Sequence, residues 1–375
     1  MSQASLSNGE LSVGVVGCGY WGAKHVRVLQ SVKGVGRVVA VDRDERILEG
    51  IREAHAHVST MRSFDQAIRE LDAVVIATPP LTHAPLALAA LRAGCHVMAE
   101  KPLATTSVEA RELIRMADAT GLVLMSGHTF EYNAAVWKLR ELIQGGELGR
   151  IYHIDTARLN LGLYQGDVNV IWDLAPHDVS ILNYVLGAQP NRVTAWAQAH
   201  VHQRHEDVAY LRLDYDALNI STQIHVSWLD PCKVRRVTVV GSSKMAVYND
   251  VEVDERIRIF DKGVALADDP VRGMPPISYR HGGIESPYIP FEEPLLVEDR
   301  HFVHSIQTGE RPQSDGRSGL AVVQVLEAAE RSLRLGQPVD ISPDIDLTSI
   351  DQVSHEESAI QQQHANPATL VQAGS

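Results

Sequence analysis

Short apolar runs alternate with amphipathic stretches through the first third of the chain. Five runs predict buried strands: Leu11–Val16, Val38–Val41, Ala73–Ala77, Cys95–Ala99 and Leu122–Met125. Between them, stretches such as Thr82–Ala93 and Ser107–Thr120 repeat apolar residues three or four positions apart, as amphipathic helices do. Continuous apolar strands that alternate with helices predict a doubly wound α/β domain, with a parallel sheet covered on both faces.

The pattern changes after about Asn133, where longer segments alternate apolar and polar residues. Five of these segments predict strands: Ile151–Leu161, Arg192–Val201, Val208–Tyr215, Asn219–Trp228 and Val234–Val240. Three helices are predicted as well: Val136–Ile143, Pro176–Leu186 and Leu320–Leu335. This pattern indicates an α+β domain whose large, mainly antiparallel sheet has one open face.

We therefore expect two domains. Residues 10–130 are expected to form a doubly wound domain, and residues 131–341 a domain for substrate binding and oligomerisation. Residues 342–375 are polar with few large apolar side chains, and we interpret them as a disordered tail.

Composition excludes several classes of function. No apolar run approaches the roughly 18 residues of a membrane helix, and the first ten residues lack the apolar core of a signal peptide, so we expect a cytoplasmic protein. The 47 acidic residues outnumber the 34 basic ones, which disfavours a nucleic-acid partner. Three separated cysteines favour neither a disulfide framework nor a cysteine zinc site, and no metal is expected.

A glycine-rich motif follows the first predicted strand, with the sequence Gly17-Cys18-Gly19-Tyr20-Trp21-Gly22. In such GxGxxG motifs the first glycine allows a tight turn, the second admits a diphosphate and the third lets helix and strand pack closely. The helix N-terminus then offers N–H donors to the phosphates. The motif and its position predict a dinucleotide-binding Rossmann domain.

Asp42 ends the second predicted strand, 25 residues beyond Gly17. A carboxylate at this place hydrogen-bonds the adenosine ribose and repels a 2′-phosphate, so NAD is favoured over NADP. The adjacent Arg43 would offset part of that repulsion. The alternative is that Asp42 is an ordinary residue of the turn that follows a strand.

Two further strand ends carry polar residues. Thr78 and Pro79 follow the third strand, and Glu100-Lys101-Pro102 follows the fourth, at the edge where α/β sheets bind ligands. A partly desolvated lysine beside a nicotinamide would hydrogen-bond a substrate hydroxyl and polarise the carbonyl that forms. The alternative for Lys101 is a solvated surface lysine.

The segment Trp172–Asp178 opens a predicted helix. Asp173 and His177 are four residues apart, so both project from one helical face, and Pro176 is tolerated in a first turn. A histidine with a pKa near neutrality suits proton abstraction from an alcohol. The alternative is a helix-capping aspartate with a surface histidine.

Together these motifs resemble the Gfo/Idh/MocA oxidoreductases. The resemblance runs from about Leu11 to Val339 and rests on GCGYWG, ATPPLTH, AEKP and WDLAPHD, in that order. It implies that Lys101 lies beside nicotinamide and substrate, that His177 is the catalytic acid/base and that Asp173 binds substrate or relays a proton. The implied cofactor contacts are Gly17, Gly19, Tyr20, Trp21, Gly22, Asp42, Arg43, Thr78, Pro79, His83, Glu100, Lys101 and Trp172. It also implies a homodimer or homotetramer formed through the sheet.

Three stretches resemble the bacterial nucleotide-sugar and aminosugar 3-dehydrogenases: Arg158–Gly162, Asp167–Asp173 and Ser227–Pro231. This likeness implies NAD-dependent oxidation at C3 of a sugar, which then feeds an aminotransferase. The candidate substrate contacts are Lys101, His128, Glu131, Arg158, Asn160, Asn169, Asp173 and His177. Arg158, Asn160 and Asn169 are equally compatible with solvent-facing strand residues. Glu131 stands where many relatives carry arginine or an apolar residue, and near the site it would suit a cationic amino group better than a phosphate.

Other interpretations stay open. The rival enzyme is an inositol or free-sugar dehydrogenase, and a close variant oxidises an aminosugar within an antibiotic intermediate. A non-catalytic NAD-binding regulator is the alternative from another class, although intact Lys101, Asp173 and His177 argue against it. We interpret His200, His202 and His205 as a solvated strand edge rather than a metal site.

Overall fold

The structure is a computed structural model that describes residues 10–162, 164, 166, 168–201, 204–266 and 277–341. The segment interpreted as a disordered tail, residues 342–375, lies outside the described residues, as do Asp167 and His202. None of the helices within the described ranges is long and apolar enough to cross a membrane.

The first sheet has six parallel strands in the order β3-β2-β1-β4-β5-β6. Its strands are β1 Leu11–Val16, β2 Val35–Val41, β3 Ser59–Met61, β4 Ala73–Ile76, β5 His96–Glu100 and β6 Leu124–Gly127. The helices between them are α1 Tyr20–Leu29, α2 Glu45–Ala54, α3 Phe64–Ala67, α4 His83–Arg92 and α5 Ser107–Thr120. The strand order reverses between β1 and β4, which opens a crevice at the carboxyl ends of the strands. The predicted doubly wound Rossmann sheet is confirmed.

The second sheet has nine strands in the order β14-β13-β12-β11-β7-β10-β9-β8-β15. Its first strands are β7 Ile151–Leu161, β8 Arg192–Gln198, β9 Val208–Tyr215, β10 Ile220–Ser227 and β11 Leu229–Gly241. The remaining strands are β12 Met245–Asn249, β13 Ile257–Leu266, β14 Ile277–Glu285 and β15 Val339–Asp340. Every neighbouring pair is antiparallel except β7 and β10, so the mainly antiparallel sheet is confirmed.

Helices cover one face of this sheet. They are α6 Ala134–Gln144, α7 Val170–Leu186 and α9 Gly316–Leu335, which contact β12, β10 and β8 respectively. A further helix, α8 Pro294–Thr308, packs on α1 and on the turn Thr129–Tyr132. Alternate strand residues such as Ile154, Ile224 and Val239 are fully buried beneath α6, α7 and α9. The opposite face is open and carries Trp196 and Tyr210, which are 52% and 46% exposed.

The helix that bears His177 begins earlier than predicted. It starts at Val170 rather than Pro176, because the Asn169 side chain accepts hydrogen bonds from the N–H groups of Ile171 and Trp172 and caps it there. Pro176 therefore lies inside the helix and not in its first turn.

The hydrophobic pattern did not reveal β3, β12, β13, β14 or α8. β3 has only three residues, and β14 is exposed along its whole length, so neither shows a buried face. In α8, Glu298 and Asp299 are fully buried, which hides the apolar stripe that normally identifies a helix.

Candidate active site

The loop between β1 and α1 has the shape that a dinucleotide requires. Gly17 adopts a left-handed φ of 83°, and a Cβ at Gly22 would lie 1.8 Å from the carbonyl oxygen of Gly17. A Cβ at Gly19 would meet nothing within 4 Å, so the space above it is open. Gly19 supplies no side-chain cap to α1, and the first turn of α1 has no acidic residue. This open, uncapped helix start fits the diphosphate of NAD.

Asp42 lies beside this loop, at the end of β2. Its carboxylate accepts hydrogen bonds from the N–H groups of Cys18 (2.8 Å) and Asp44 (2.9 Å). Asp42 is half-buried, whereas the Arg43 side chain is exposed. The carboxylate therefore fixes the glycine loop and sets the charge of the adjoining crevice.

His83 connects the loops after β4 and β5. It is 1% exposed, with Nε2 2.8 Å from the Thr78 carbonyl oxygen and Nδ1 2.8 Å from that of Pro102. Burial lowers the pKa of His83. Both ring nitrogens are engaged, so His83 supports the loops on which Thr78, Pro79 and Lys101 lie and has no free nitrogen for a cofactor.

The structure brings Lys101, at the end of β5, to the first turn of α7. Its Nζ donates to the Asp173 carbonyl oxygen at 2.7 Å and lies 3.5 Å from Asp173 Oδ1. Trp228 Nε1 donates to the other carboxylate oxygen of Asp173 at 2.9 Å. The Lys101 side chain is 13% exposed, so its ammonium group is held in place by neighbours from α7.

His177 lies one helical turn beyond Asp173. Its Nδ1 is buried and has no hydrogen-bond partner among the described residues, and its ring contacts Phe130 edge-on at 5.1 Å between centroids. Burial, together with the positive charges of Lys101, Arg158 and Arg235, holds the pKa of His177 well below its ordinary value. A neutral imidazole is the form that accepts a proton.

His177 and Phe130 border a cavity of about 540 Å³ between the start of α1 and the second sheet, and Lys101 and Asp173 are not part of its lining. Its lining includes Tyr20, Trp21, Lys24, Glu100, Phe130, Arg158, Leu174, His177, Lys233, Arg235, Asp250, Arg256, Phe291 and Glu293. The cavity thus extends from the start of α1, where the predicted cofactor contacts Tyr20 and Trp21 lie, to the predicted acid/base.

Arg158 lines this cavity, and Asn160 is bound to another lining residue, Arg235. Arg158 is 4% exposed, donates from Nε to Asp178 Oδ2 at 2.7 Å and lies over the Phe130 ring. Asn160 Oδ1 accepts a hydrogen bond of 2.6 Å from Arg235 Nη2. The solvent-facing alternative is wrong for Arg158, because it is on the helix-covered face of β7.

Glu131, a predicted substrate contact, lies away from the cavity of His177. Glu131 is 3% exposed, and the short 3-10 turn Thr129–Tyr132 directs its carboxyl toward Ser318 of α9, whose hydroxyl donates to it. It lines a different cavity, together with Asn183 and Arg317. Burial raises the pKa of Glu131 to about 8, so this carboxyl is mostly protonated at neutral pH.

Asn169, Trp172 and His128 are among the predicted contacts that lie outside the cavity of His177. Asn169 caps α7 and donates to Glu206, and Trp172 donates from Nε1 to Glu330. Both line a separate cavity beside Leu81. His128 is fully buried, with Nε2 3.2 Å from the Ser126 hydroxyl.

Sequence reasoning did not identify several residues of the site. Trp228 is in a stretch that the resemblance selected, but only the fold shows that it holds Asp173. Arg235 is brought next to Arg158 by the pairing of β11 with β7, which no local pattern reveals. His25 lies between Glu100 and Asp299, a cluster assembled from three separate parts of the chain.

Comparisons with known proteins agree with this geometry. One family model, described as "Oxidoreductase family, NAD-binding Rossmann fold", matches residues 11–128. A second, described as "GFO/IDH/MocA C-terminal domain", matches residues 136–247. Among curated proteins, inositol 2-dehydrogenase of Rhizobium meliloti is 24% identical over 342 residues, which are 88% of this chain and 98% of that enzyme.

Two solved structures are similar over nearly their whole length. UDP-N-acetylglucosamine 3-dehydrogenase GnnA of Acidithiobacillus ferrooxidans is 25% identical, with a TM-score of 0.70 over 87% of this chain and 98% of that one. GenD2 from gentamicin A biosynthesis, solved in complex with NAD, is also 25% identical, with a TM-score of 0.74 over 92% and 99%. The chain belongs to the Gfo/Idh/MocA family and is a sugar-type oxidoreductase with an NAD-binding Rossmann domain.

Proposed function

We propose that the protein is an NAD-dependent dehydrogenase that oxidises a secondary ring hydroxyl of a sugar or aminosugar, at C3, to a ketone. The observation that carries this proposal is the meeting of Lys101, Asp173 and a neutral His177 at the end of the Rossmann sheet. The similarity to UDP-N-acetylglucosamine 3-dehydrogenase supports the choice of a sugar substrate and of the C3 position, and the similarity to GenD2, solved in complex with NAD, supports the cofactor.

Each of the three residues has a chemical role in this proposal. His177 takes the proton of the substrate hydroxyl, because its imidazole is neutral and borders the cavity. Lys101 donates to the substrate oxygen and stabilises the negative charge that develops on it. Asp173 keeps the Lys101 ammonium group in position through its carbonyl and carboxylate oxygens. NAD, when bound, supplies the hydride acceptor.

The residues that would hold NAD are the three glycines of the β1–α1 loop and Asp42. A 2′-phosphate next to the Asp42 carboxylate would be repelled, and this supports NAD over NADP. Arg43 is exposed and forms no ion pair with any residue that the structure describes, so it offsets the repulsion only weakly.

Each of the two domains would have its own role. Residues 10–130 would bind the cofactor, and residues 131–341 would bind the substrate and a second copy of the chain. The open face of the nine-stranded sheet supports the second assignment, since it exposes Trp196 and stacks Tyr210 on His225 with 4.1 Å between ring centroids. A homodimer or homotetramer would cover this face.

An inositol or free-sugar dehydrogenase is the second candidate. It is supported by the match to inositol 2-dehydrogenase across 88% of the chain. Both candidates use the same acid–base residues and differ only in the ring that lies against them.

Reduction of NAD with a small substrate panel tests the proposal. The panel holds a UDP-N-acetyl aminosugar, its uronic acid, myo-inositol, glucose and a 3″-hydroxy aminoglycoside. NADH formation with an aminosugar member is expected, and formation with myo-inositol or glucose alone would favour the second candidate. Tight NAD binding without NADH formation from any member would contradict both and favour a regulator that senses NAD.

A further inference from the structure

Positive charge accumulates on the wall of the cavity that His177 borders. Five cationic side chains line it: Lys24, Arg158, Lys233, Arg235 and Arg256. Three carboxylates also line it, but each already has a partner within the protein. Glu100 binds His25, Glu293 pairs with Arg27, and Asp250 accepts the Tyr248 hydroxyl.

Only one of these five cations forms an ion pair with a carboxylate that the structure describes. Arg158 pairs with the buried Asp178, whereas Arg235, Lys233, Arg256 and Lys24 form no ion pair with any carboxylate that the structure describes. Lys24 instead donates to the Tyr20 hydroxyl. Asp250 accepts from the neutral Tyr248 and Asn133 side chains, so its charge offsets part of that of the cations, and the cavity lining keeps an excess of positive charge.

Arg235 is held rigidly in this wall. Its Nη1 donates to the carbonyl oxygens of Leu159 and Val234, both at 2.8 Å, and its Nη2 donates to Asn160 Oδ1 at 2.6 Å. These are three of its five N–H donors, and all three acceptors are neutral. Nε–H and one Nη2–H remain without a partner among the described residues and can donate to the oxygens of an anion.

The position of Arg235 is unfavourable without such an anion. It lies on the same face of the sheet as Arg158, with which it pairs in register. Burial and the neighbouring Arg158 guanidinium lower the pKa of Arg235 to about 10, so it stays charged at neutral pH. Asp178 pairs with Arg158 alone, and Asp178, Asp250 and Asp173 favour the charged form of Arg235 without forming an ion pair with it, so a ligand anion could pair with Arg235 directly.

We propose that Arg235, with Lys233 two positions earlier on the same strand, binds an anionic oxygen group of the substrate, a carboxylate or a phosphate. This inference rests on the proposed function and narrows its substrate class to negatively charged sugars. It reverses the expectation drawn from Glu131, since the carboxyl that would have attracted a cationic amino group lies in another cavity. A cationic aminoglycoside is then a poor substrate.

The test compares three ligands on the NAD-loaded protein by titration calorimetry: glucuronate, glucose 1-phosphate and glucose. Glucuronate carries a carboxylate and glucose 1-phosphate carries a phosphate, so the two ligands show which anionic group the site binds. We expect at least one of them to bind about tenfold more tightly than glucose, because charge-assisted hydrogen bonds favour the anion. Binding of neither anion, or equal binding of glucose, overturns the inference.

Matched variants assign the preference to Arg235. Arg235→Gln is expected to abolish the difference between anion and glucose, while Arg236→Gln keeps it, because Arg236 is exposed on the opposite face of β11. A preference that survives Arg235→Gln overturns the inference. NADH formation is measured in parallel. If the protein oxidises neutral sugars and shows no preference for anions, the anion site is refuted and the dehydrogenase function stands. If an anion binds in a way that depends on Arg235, but no sugar gives NADH, the dehydrogenase function is refuted and the anion site stands.

Discussion

At the scale of single residues, burial and neighbouring charges together decide whether an ionisable side chain is charged. Glu131 and His25 are both buried and both keep their proton at neutral pH, but only His25 is then charged. Burial raises the pKa of Glu131 to about 8. Burial alone would lower the pKa of His25, but the carboxylates of Asp299 and Glu100 outweigh it and hold that pKa well above its ordinary value. Each case leads to a measurable effect on stability.

Glu131→Gln should change how stability depends on pH. The folded protein binds a proton that the unfolded chain has released between about pH 4.5 and 8, so the wild type loses stability as pH rises through that window. The variant should lose less, and near the upper end it should be more stable than the wild type by about a few kcal/mol. Urea unfolding at both ends of the window measures this. Parallel pH profiles for the two proteins would refute the burial argument.

His25→Ala should destabilise the protein strongly. His25 lies 2.8 Å from Asp299 Oδ1 and 3.2 Å from Glu100 Oε1, and its removal leaves buried carboxylates without a cation. A loss of about 3–5 kcal/mol in the free energy of unfolding is expected. The exposed His57→Ala is the control and should change it by less than about 0.5 kcal/mol. Equal effects of the two substitutions would show that the buried cluster contributes nothing.

At the scale of elements, the start of α7 determines the site. Asn169 caps this helix, and the first turn then carries Asp173 toward Lys101 and the second carries His177 into the cavity. The helix start therefore sets the distance between the proposed acid/base and the residue that holds Lys101.

Asn169→Ala should cost about 1 kcal/mol of stability, because two N–H groups of α7 lose their acceptor. It should also lower kcat, since the first turn of α7 frays. Asn169→Ser restores a capping oxygen and should recover most of both losses. Urea unfolding and steady-state kinetics measure these effects. An alanine variant with unchanged stability would mean that the cap does not hold the helix start.

The sequence predicted elements well where burial follows a simple period. β1, β7, β9 and α5 have the predicted bounds, since each presents continuous or alternating apolar residues to a core. It failed for α8, whose buried acids disrupt that period.

Part of the site could not be predicted from the sequence. The resemblance of its motifs to the Gfo/Idh/MocA family identified Lys101, Asp173 and His177 as one group, and the structure brings Lys101 to Asp173. It did not give the direction of Glu131 or the pairing of Arg235 with Arg158. Both depend on contacts between residues far apart in the chain, which spacing does not encode.

At the scale of the whole molecule, the open sheet face should bind a second copy. Trp196 and Tyr210 face outward as a cross-strand pair with 5.8 Å between ring centroids. Tyr210→Glu would place a charge in that interface, so the variant should dissociate toward monomer. Light scattering after size exclusion measures the mass. A wild type that is already monomeric, or a variant of unchanged mass, would place the interface elsewhere.

The most direct test of the account compares NADH formation by the wild type and His177→Ala, with NAD affinity measured on the same samples. Loss of a general base should slow turnover by about 10²- to 10⁴-fold. NAD affinity should stay unchanged, because the glycine loop and Asp42 lie apart from His177. Lys101→Ala should behave in the same way. Near wild-type turnover by His177→Ala would contradict the account, since the proton would then leave by another route.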